Sequence, residues 1–188
     1  YFIIADVAGK GIHAGMVMAK ASTLFEVLAQ SKVDPDEMVF HMNNDLNNTK
    51  TAGMFVTSIV GEYNLITDEI RWVNAGHQPA ILRNGHGKYD QFESSAPPLG
   101  VIKQKDKSVY NIHKTKLNGS RFYAFTDGLS ESLNDKGEEI GIDGSIGIIE
   151  QNFNKDTVKQ LDSITQSVIG TSQNQKLSDD LTLISIGK

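Results

Sequence analysis

The spacing of apolar positions changes repeatedly along the chain, and each change predicts a change of element. Tyr1 to Ala5 is a short apolar run that ends at Asp6 and reads as a core strand. A glycine-rich stretch, DVAGKG (Asp6 to Gly11), follows it. Ile12, Met16, Ala19, Thr23 and Val27 then recur at helical spacing and predict a helix with one apolar stripe. In Asp34-Pro35-Asp36-Glu37, Asp34 is placed to cap a second helix, Pro35 suits its first position and Glu37 completes a capping box. That helix is predicted to run to about Asn47, with Met38, Met42 and Leu46 along one side.

From Met54 the period becomes that of strands. MFVTSIVGEYNL predicts one strand, with Thr67-Asp68 as its turn. Glu69 to Val73 and Pro79 to Arg83 predict two more, and Asn84-Gly85 and His86-Gly87 supply hairpin chemistry. A further strand fits Lys107 to Thr115, and Asn118-Gly119 turns the chain into RFYAFTD. Strands joined by such tight turns are expected to pair antiparallel. An amphipathic helix is predicted from Asp156 to Val168, and LTLISIG closes the chain as a strand after Ser178-Asp179-Asp180. The order of strand, two helices, antiparallel strands, helices and a last strand implies an α+β layered sandwich with helices outside.

Composition narrows the chemistry. The 188 residues favour one domain with a sizeable core, and 39% hydrophobic with 22% charged residues is ordinary for a globular chain. Cysteine is absent, which excludes a disulfide scaffold, a thiolate zinc site and a cysteine nucleophile. A net charge of −5 argues against nucleic acid as a partner. No segment reads as long and apolar enough to span a bilayer, and YFIIAD lacks a basic leader, so a cytoplasmic protein, or the cytoplasmic side of a membrane-bound sensor, is expected. Opening directly on a core strand leads to the expectation of a longer protein with partner strands upstream.

Acidic residues recur at strand ends. Asp6 ends an apolar strand before a glycine loop, Asp127 ends FYAFT before Gly128, and Asp179 and Asp180 precede LTLISI. Side by side, such strands would carry their carboxylates to one rim. Mg²⁺ and Mn²⁺ take hard oxygen ligands, and a pair of such ions can clamp a phosphate and acidify a water between them. Asp before Gly is also common turn chemistry, so composition alone leaves metal binding and a structural role about even.

The motifs in order resemble the PPM phosphatases, specifically their bacterial SpoIIE-like branch. DVAGKGIHAGMVMA (Asp6 to Ala19) is similar to the family's DVSGKG loop and following helix. MFVTSIVGEYN (Met54 to Asn64) is similar to its central strand, and VNAGHQPAIL (Val73 to Leu82) to its AGH-P-x-L signature. PPLGV (Pro97 to Val101), FTDGLSES (Phe125 to Ser132) and SDDLTLISI (Ser178 to Ile186) are similar to its PLG, TDGxxE and DD-x-T motifs. The resemblance implies a four-layer α-β-β-α sandwich, here without its first strands, as a single domain over residues 1–188. It implies two Mn²⁺ or Mg²⁺ ions, with Asp6 bridging them, the carbonyl of Val7 as a further ligand, Asp127 and Asp179 on the second ion and Asp180 in support. It implies a phosphoserine or phosphothreonine substrate on a STAS-domain anti-sigma-factor antagonist, and an upstream sensor or receiver domain. A homodimer is compatible with it.

Two departures stand out. The family carries a further acidic motif, GGD-x-x-D, before the DVSGKG loop, and this chain begins after it. Ala8 stands where eukaryotic relatives have a histidine thought to act as general acid, which leaves leaving-group protonation unassigned.

Other residues invite chemistry and are read as structural. Gly9-Lys10-Gly11 lacks the spacing of a phosphate-binding P-loop, and Lys10 reads as a solvated lysine. His77, at a turn, reads as a structural hydrogen-bonding residue ahead of a catalytic acid. The five histidines lack zinc spacing. Glu131 reads either as orienting a metal water or as solvent-facing, and Trp72 as sheet packing. The leading expectation is metal-dependent hydrolysis of a protein phosphoester without a phosphoenzyme. The alternatives are a non-catalytic interaction module of the same fold and an unrelated small-molecule phosphoesterase.

Overall fold

The computed structural model describes residues 1–49, 53–134, 136–154, 156–171 and 180–187. The chain forms two compact units, Tyr1–His77 with Glu93–Asn118, and Gln78–Phe92 with Gly119–Lys188.

The first unit holds β1 (Phe2–Val7), α1 (Ile12–Gln30), α2 (Pro35–Asn48), β2 (Val56–Asn64), β3 (Glu69–Ala75) and β6 (His113–Lys116). Its strands form one sheet in the order β1-β2-β3-β6, antiparallel throughout. One face of that sheet carries Val56, Val60, Val73 and Ala75 into a core completed by Met38, Met42 and Leu46 of α2. Those α2 residues form the predicted stripe. Asp34 occupies the N-cap position, but its side chain makes no cap bond. Its carboxylate instead takes Arg71 at 3.0 Å, and that hydrogen bond holds its pKa below the usual carboxylate range. Glu37 pairs with Lys107 at 3.2 Å, so the predicted capping box gives way to ion pairs.

In α1 the structure corrects the sequence reading. Ile12, Met16, Ala19, Thr23 and Val27 all face outward, with Ile12 82%, Met16 65% and Val27 56% exposed. The buried row is Ala14, Val17 and Ala21, with Leu24 and Leu28 half-buried against the same core. Both rows have helical spacing, and alanine contributes too little apolar surface for periodicity alone to favour its row. By length and composition α1 is also apolar enough to cross a bilayer, against the expectation that no segment is.

The second unit holds β4 (Ala80–Arg83), β5 (Tyr89–Phe92), β7 (Arg121–Phe125), α3 (Asp127–Ser130), α4 (Gly141–Gln151), α5 (Thr157–Thr171) and β8 (Leu183–Ile186). Its sheet runs β5-β4-β7-β8, again antiparallel. Ile81, Tyr123 and Phe125 pack with Leu129, Ile149 and Ile164 in its core. Each unit therefore has one sheet with its own helices, the pairing that an α-β-β-α scheme requires of each half.

Lys107–Val109 is a 3₁₀ turn rather than strand, because Asp106 accepts the amide of Ser108 at 2.7 Å and caps it. The Asn118-Gly119 turn does not make a hairpin either: β6 pairs with β3, while β7 lies between β4 and β8.

Candidate metal centre

In the first unit, Asp6 is the penultimate residue of β1 and stands directly opposite Thr57 of β2. Opposed residues in an antiparallel pair share a face. Asn74 lies on that face too, because it opposes Ile59, two residues on from Thr57. A polar row results. Thr57 Oγ1 is 2.8 Å from Nδ1 of His77 and 3.5 Å from the carbonyl oxygen of Asp6. The amide of His77 donates to Asn74 Oδ1 at 2.9 Å. His77 and Asn74 are buried, Thr57 is half-buried and Asp6 is exposed. The structural hydrogen bonding expected of His77 is present.

The ladder also sets the direction of the Val7 carbonyl. The amide of Ala8 donates to Phe55 O at 2.9 Å, so Val7, opposite Val56, is at a non-hydrogen-bonded position. Its C=O points away from β2, the direction in which it could serve as a ligand. Val56 turns its own amide and carbonyl to Leu99, at 2.9 and 2.8 Å. That link ties the PPLGV segment to the strand beside Asp6. Gly9 then takes the chain through φ 135°, and a Cβ there would lie 3.2 Å from Met54 Cε, so the loop needs glycine at this point.

In the second unit, Asp127 follows β7 as the first residue of α3 and is half-buried. Its carbonyl accepts the amide of Glu131 at 2.7 Å. Buried Thr126, one residue earlier, donates its hydroxyl to Asp180 O at 2.9 Å and accepts the amide of Thr182 at 2.9 Å. Its own amide donates to Thr182 O at 3.0 Å. Phe125 opposes Leu183, so Asp127 and exposed Asp180 sit at the same end of neighbouring strands. Of the expected ligands, Asp6 and Val7 are consecutive residues of β1, and Asp127 and Asp180 lie at the same end of the neighbouring strands β7 and β8. Asp179 lies outside the described residues.

Taken unit by unit, the carboxylate of Asp6 with the outward-pointing carbonyl of Val7, and the carboxylates of Asp127 and Asp180, are oxygen donors of the hard type that divalent cations take. Among the described residues, no group of three or more His, Asp or Glu could hold a metal ion. Thr57 and Thr126 were not singled out by the sequence; their only signal is their place inside MFVTS and FTDG. Lys10 and Glu131 are exposed. Trp72 is buried in the sheet and stacks on His113 at 5.3 Å and 22° between ring planes.

The family described as Stage II sporulation protein E (SpoIIE) matches residues 1–187. The chain belongs to the SpoIIE family. Among curated relatives, the phosphoserine phosphatase RsbU of Bacillus subtilis is 26% identical over 185 residues, covering 96% of this chain and 53% of that protein. The chain spans between a third and about half the length of the curated relatives it matches. The PP2C phosphatase domain of SpoIIE from Bacillus subtilis superposes with a TM-score of 0.78 at 19% identity, over 97% of this chain and 52% of that one. A structure of RsbX in complex with magnesium gives 0.68 at 22% identity, over 97% of this chain and 78% of that one. This SpoIIE-family chain therefore has the PP2C phosphatase fold in the α+β class.

Proposed function

We propose that the chain is the catalytic domain of a metal-dependent protein serine/threonine phosphatase acting in sigma-factor regulation. The observation that carries the reading is the SpoIIE family match over residues 1–187, which contains every carboxylate of the candidate centre. The substrate is a phosphoserine or phosphothreonine on a STAS-domain anti-sigma-factor antagonist. The name of RsbU supports the phosphoserine, and the magnesium in RsbX supports a hard divalent cation. The setting is cytoplasmic, under an upstream sensor or receiver domain.

Asp6, the carbonyl of Val7, Asp127, Asp179 and Asp180 are the residues that would hold two Mn²⁺ or Mg²⁺ ions. When bound, such ions neutralise phosphoryl oxygens and supply a water nucleophile at neutral pH. The chain itself contributes fixed carboxylate positions. Asp6 is set by its register on Thr57, and the Asp127 turn is locked to the Asp180 segment through Thr126. Neither carboxylate needs to act as a nucleophile, so no phosphoenzyme forms.

The test is release of phosphate from a phosphoserine peptide with Mn²⁺ or Mg²⁺ and with EDTA. Turnover with either ion, none with EDTA, and loss of turnover in Asp127→Asn support the reading. Full activity in Asp127→Asn, or equal turnover in EDTA, would sink it. A nucleotide monoester run in parallel distinguishes a protein phosphatase from a small-molecule phosphoesterase.

A further inference from the structure

We propose that Thr57 and His77 form a positioning pair that fixes Asp6 for metal binding. The proposal rests on the phosphatase reading above and extends it to residues that hold no ion themselves.

Asp6 lies on β1, at the edge of the first sheet, where only β2 supports it among the described strands. A carboxylate asked to serve two cations has to keep one orientation, and the groups that hold ligands in place commonly set metal affinity as strongly as the ligands. The ladder gives Asp6 one cross-strand neighbour on its own face, Thr57. That threonine is not free to rotate, because its hydroxyl is engaged by His77 Nδ1 at 2.8 Å. The imidazole in turn stands on a rigid backbone. Its amide is held by Asn74 at 2.9 Å, and Gly76 just before it has φ 71° and lies against Pro98, which a Cβ would meet at 2.3 Å.

A hydroxyl has one proton and two lone pairs. With His77 protonated at Nδ1, the ring donates to Thr57 Oγ1 and the hydroxyl proton is free to turn to the Asp6 carbonyl 3.5 Å away. With the other tautomer, Thr57 donates to the ring. In both cases the oxygen is pinned beside Asp6. A purely structural pair would stabilise the sheet and leave ion affinity unchanged, which is the distinction to be measured.

The experiment is calorimetric titration of the 188-residue chain with Mn²⁺ alone, alongside thermal unfolding in EDTA. Thr57→Val keeps the branched shape and strand preference while removing the hydroxyl. Thr57→Val and His77→Gln should each weaken Mn²⁺ binding by roughly tenfold or more, and Thr57→Ser should restore it. With a phosphoserine peptide, the loss should appear as a higher Mn²⁺ requirement, with kcat recovered at saturating ion and peptide KM unmoved. Should Thr57→Val unfold, His77→Gln and Thr57→Ser decide the matter.

Wild-type affinity in Thr57→Val or His77→Gln, with Asp6→Asn binding nothing, overturns the pair and leaves the phosphatase reading standing. A wild-type chain that neither binds Mn²⁺ nor differs from Asp6→Asn overturns both.

Discussion

The hydroxyl of Thr126 donates to the carbonyl of Asp180 at 2.9 Å while accepting the amide of Thr182 at the same distance. One buried side chain thus stitches the end of β7 to the segment entering β8. Thr126→Val should leave two backbone groups without this partner and cost about 1–3 kcal/mol. Urea unfolding would check this. Thr126→Ser should recover most of the loss, and equal midpoints for all three proteins would show that the stitch is dispensable.

Asp6 and Asp127 belong to different units, and the function proposed above gives them one task. Asp6→Asn and Asp127→Asn should each lower Mn²⁺-dependent turnover by at least about a hundredfold. If they serve a common centre, the double variant should be no worse than the poorer single one, because groups that act as a unit are non-additive. Multiplying losses would mean two independent roles.

Gly76 has φ 71°, and an added Cβ would meet Pro98 Cγ at 2.3 Å. Gly76→Ala should destabilise the first unit by about 1–3 kcal/mol, since both the backbone conformation and the contact resist a methyl group. Denaturant midpoints measure it. A stable, fully folded Gly76→Ala protein would contradict the contact.

Glu150 predicts an acid dependence. Arg83 Nε and Nη2 reach its two oxygens at 2.7 and 3.0 Å, and Tyr89 also donates to it. The Arg83 hydrogen bonds, then that of Tyr89, hold its pKa at about 2, against 4.5 unperturbed. Because the folded value is the lower, the stabilisation is complete above about pH 4.5 and is lost as pH falls toward 2. Glu150→Gln should unfold at lower urea at pH 7 and show a shallower loss across that window. With its side chain 45% exposed, the pair is worth up to about 1 kcal/mol.

Periodicity made α2, α5 and most strands legible, because each carries apolar residues at the spacing of its element. It failed where packing overrides propensity. Gly141, Gly144 and Gly147 discourage a helix over α4, yet Ile149 buries fully in the second core and α4 forms. The short strand β5, YDQF, has no fully buried residue to mark it. At the candidate centre the acids were legible as strand-end motifs. Thr57 and Thr126 were not, since a threonine within a strand, or just past its end, looks like an ordinary β-former until its hydroxyl partners are known.

The two units are interleaved in sequence: Gln78–Phe92 interrupts the first, and Glu93–Asn118 interrupts the second. Strand β4 has to wait for β7 (Ile81 opposite Tyr123) until the whole of that second interruption has been threaded. No single scission can part the two units cleanly: a cut after Asn118 keeps both segments of the first unit together but carries β4 and β5 away from the rest of the second, and a cut after His77 keeps the second whole but splits the first. Loop closure of this kind slows assembly without much weakening the finished fold, so the chain trades dissectability for unity.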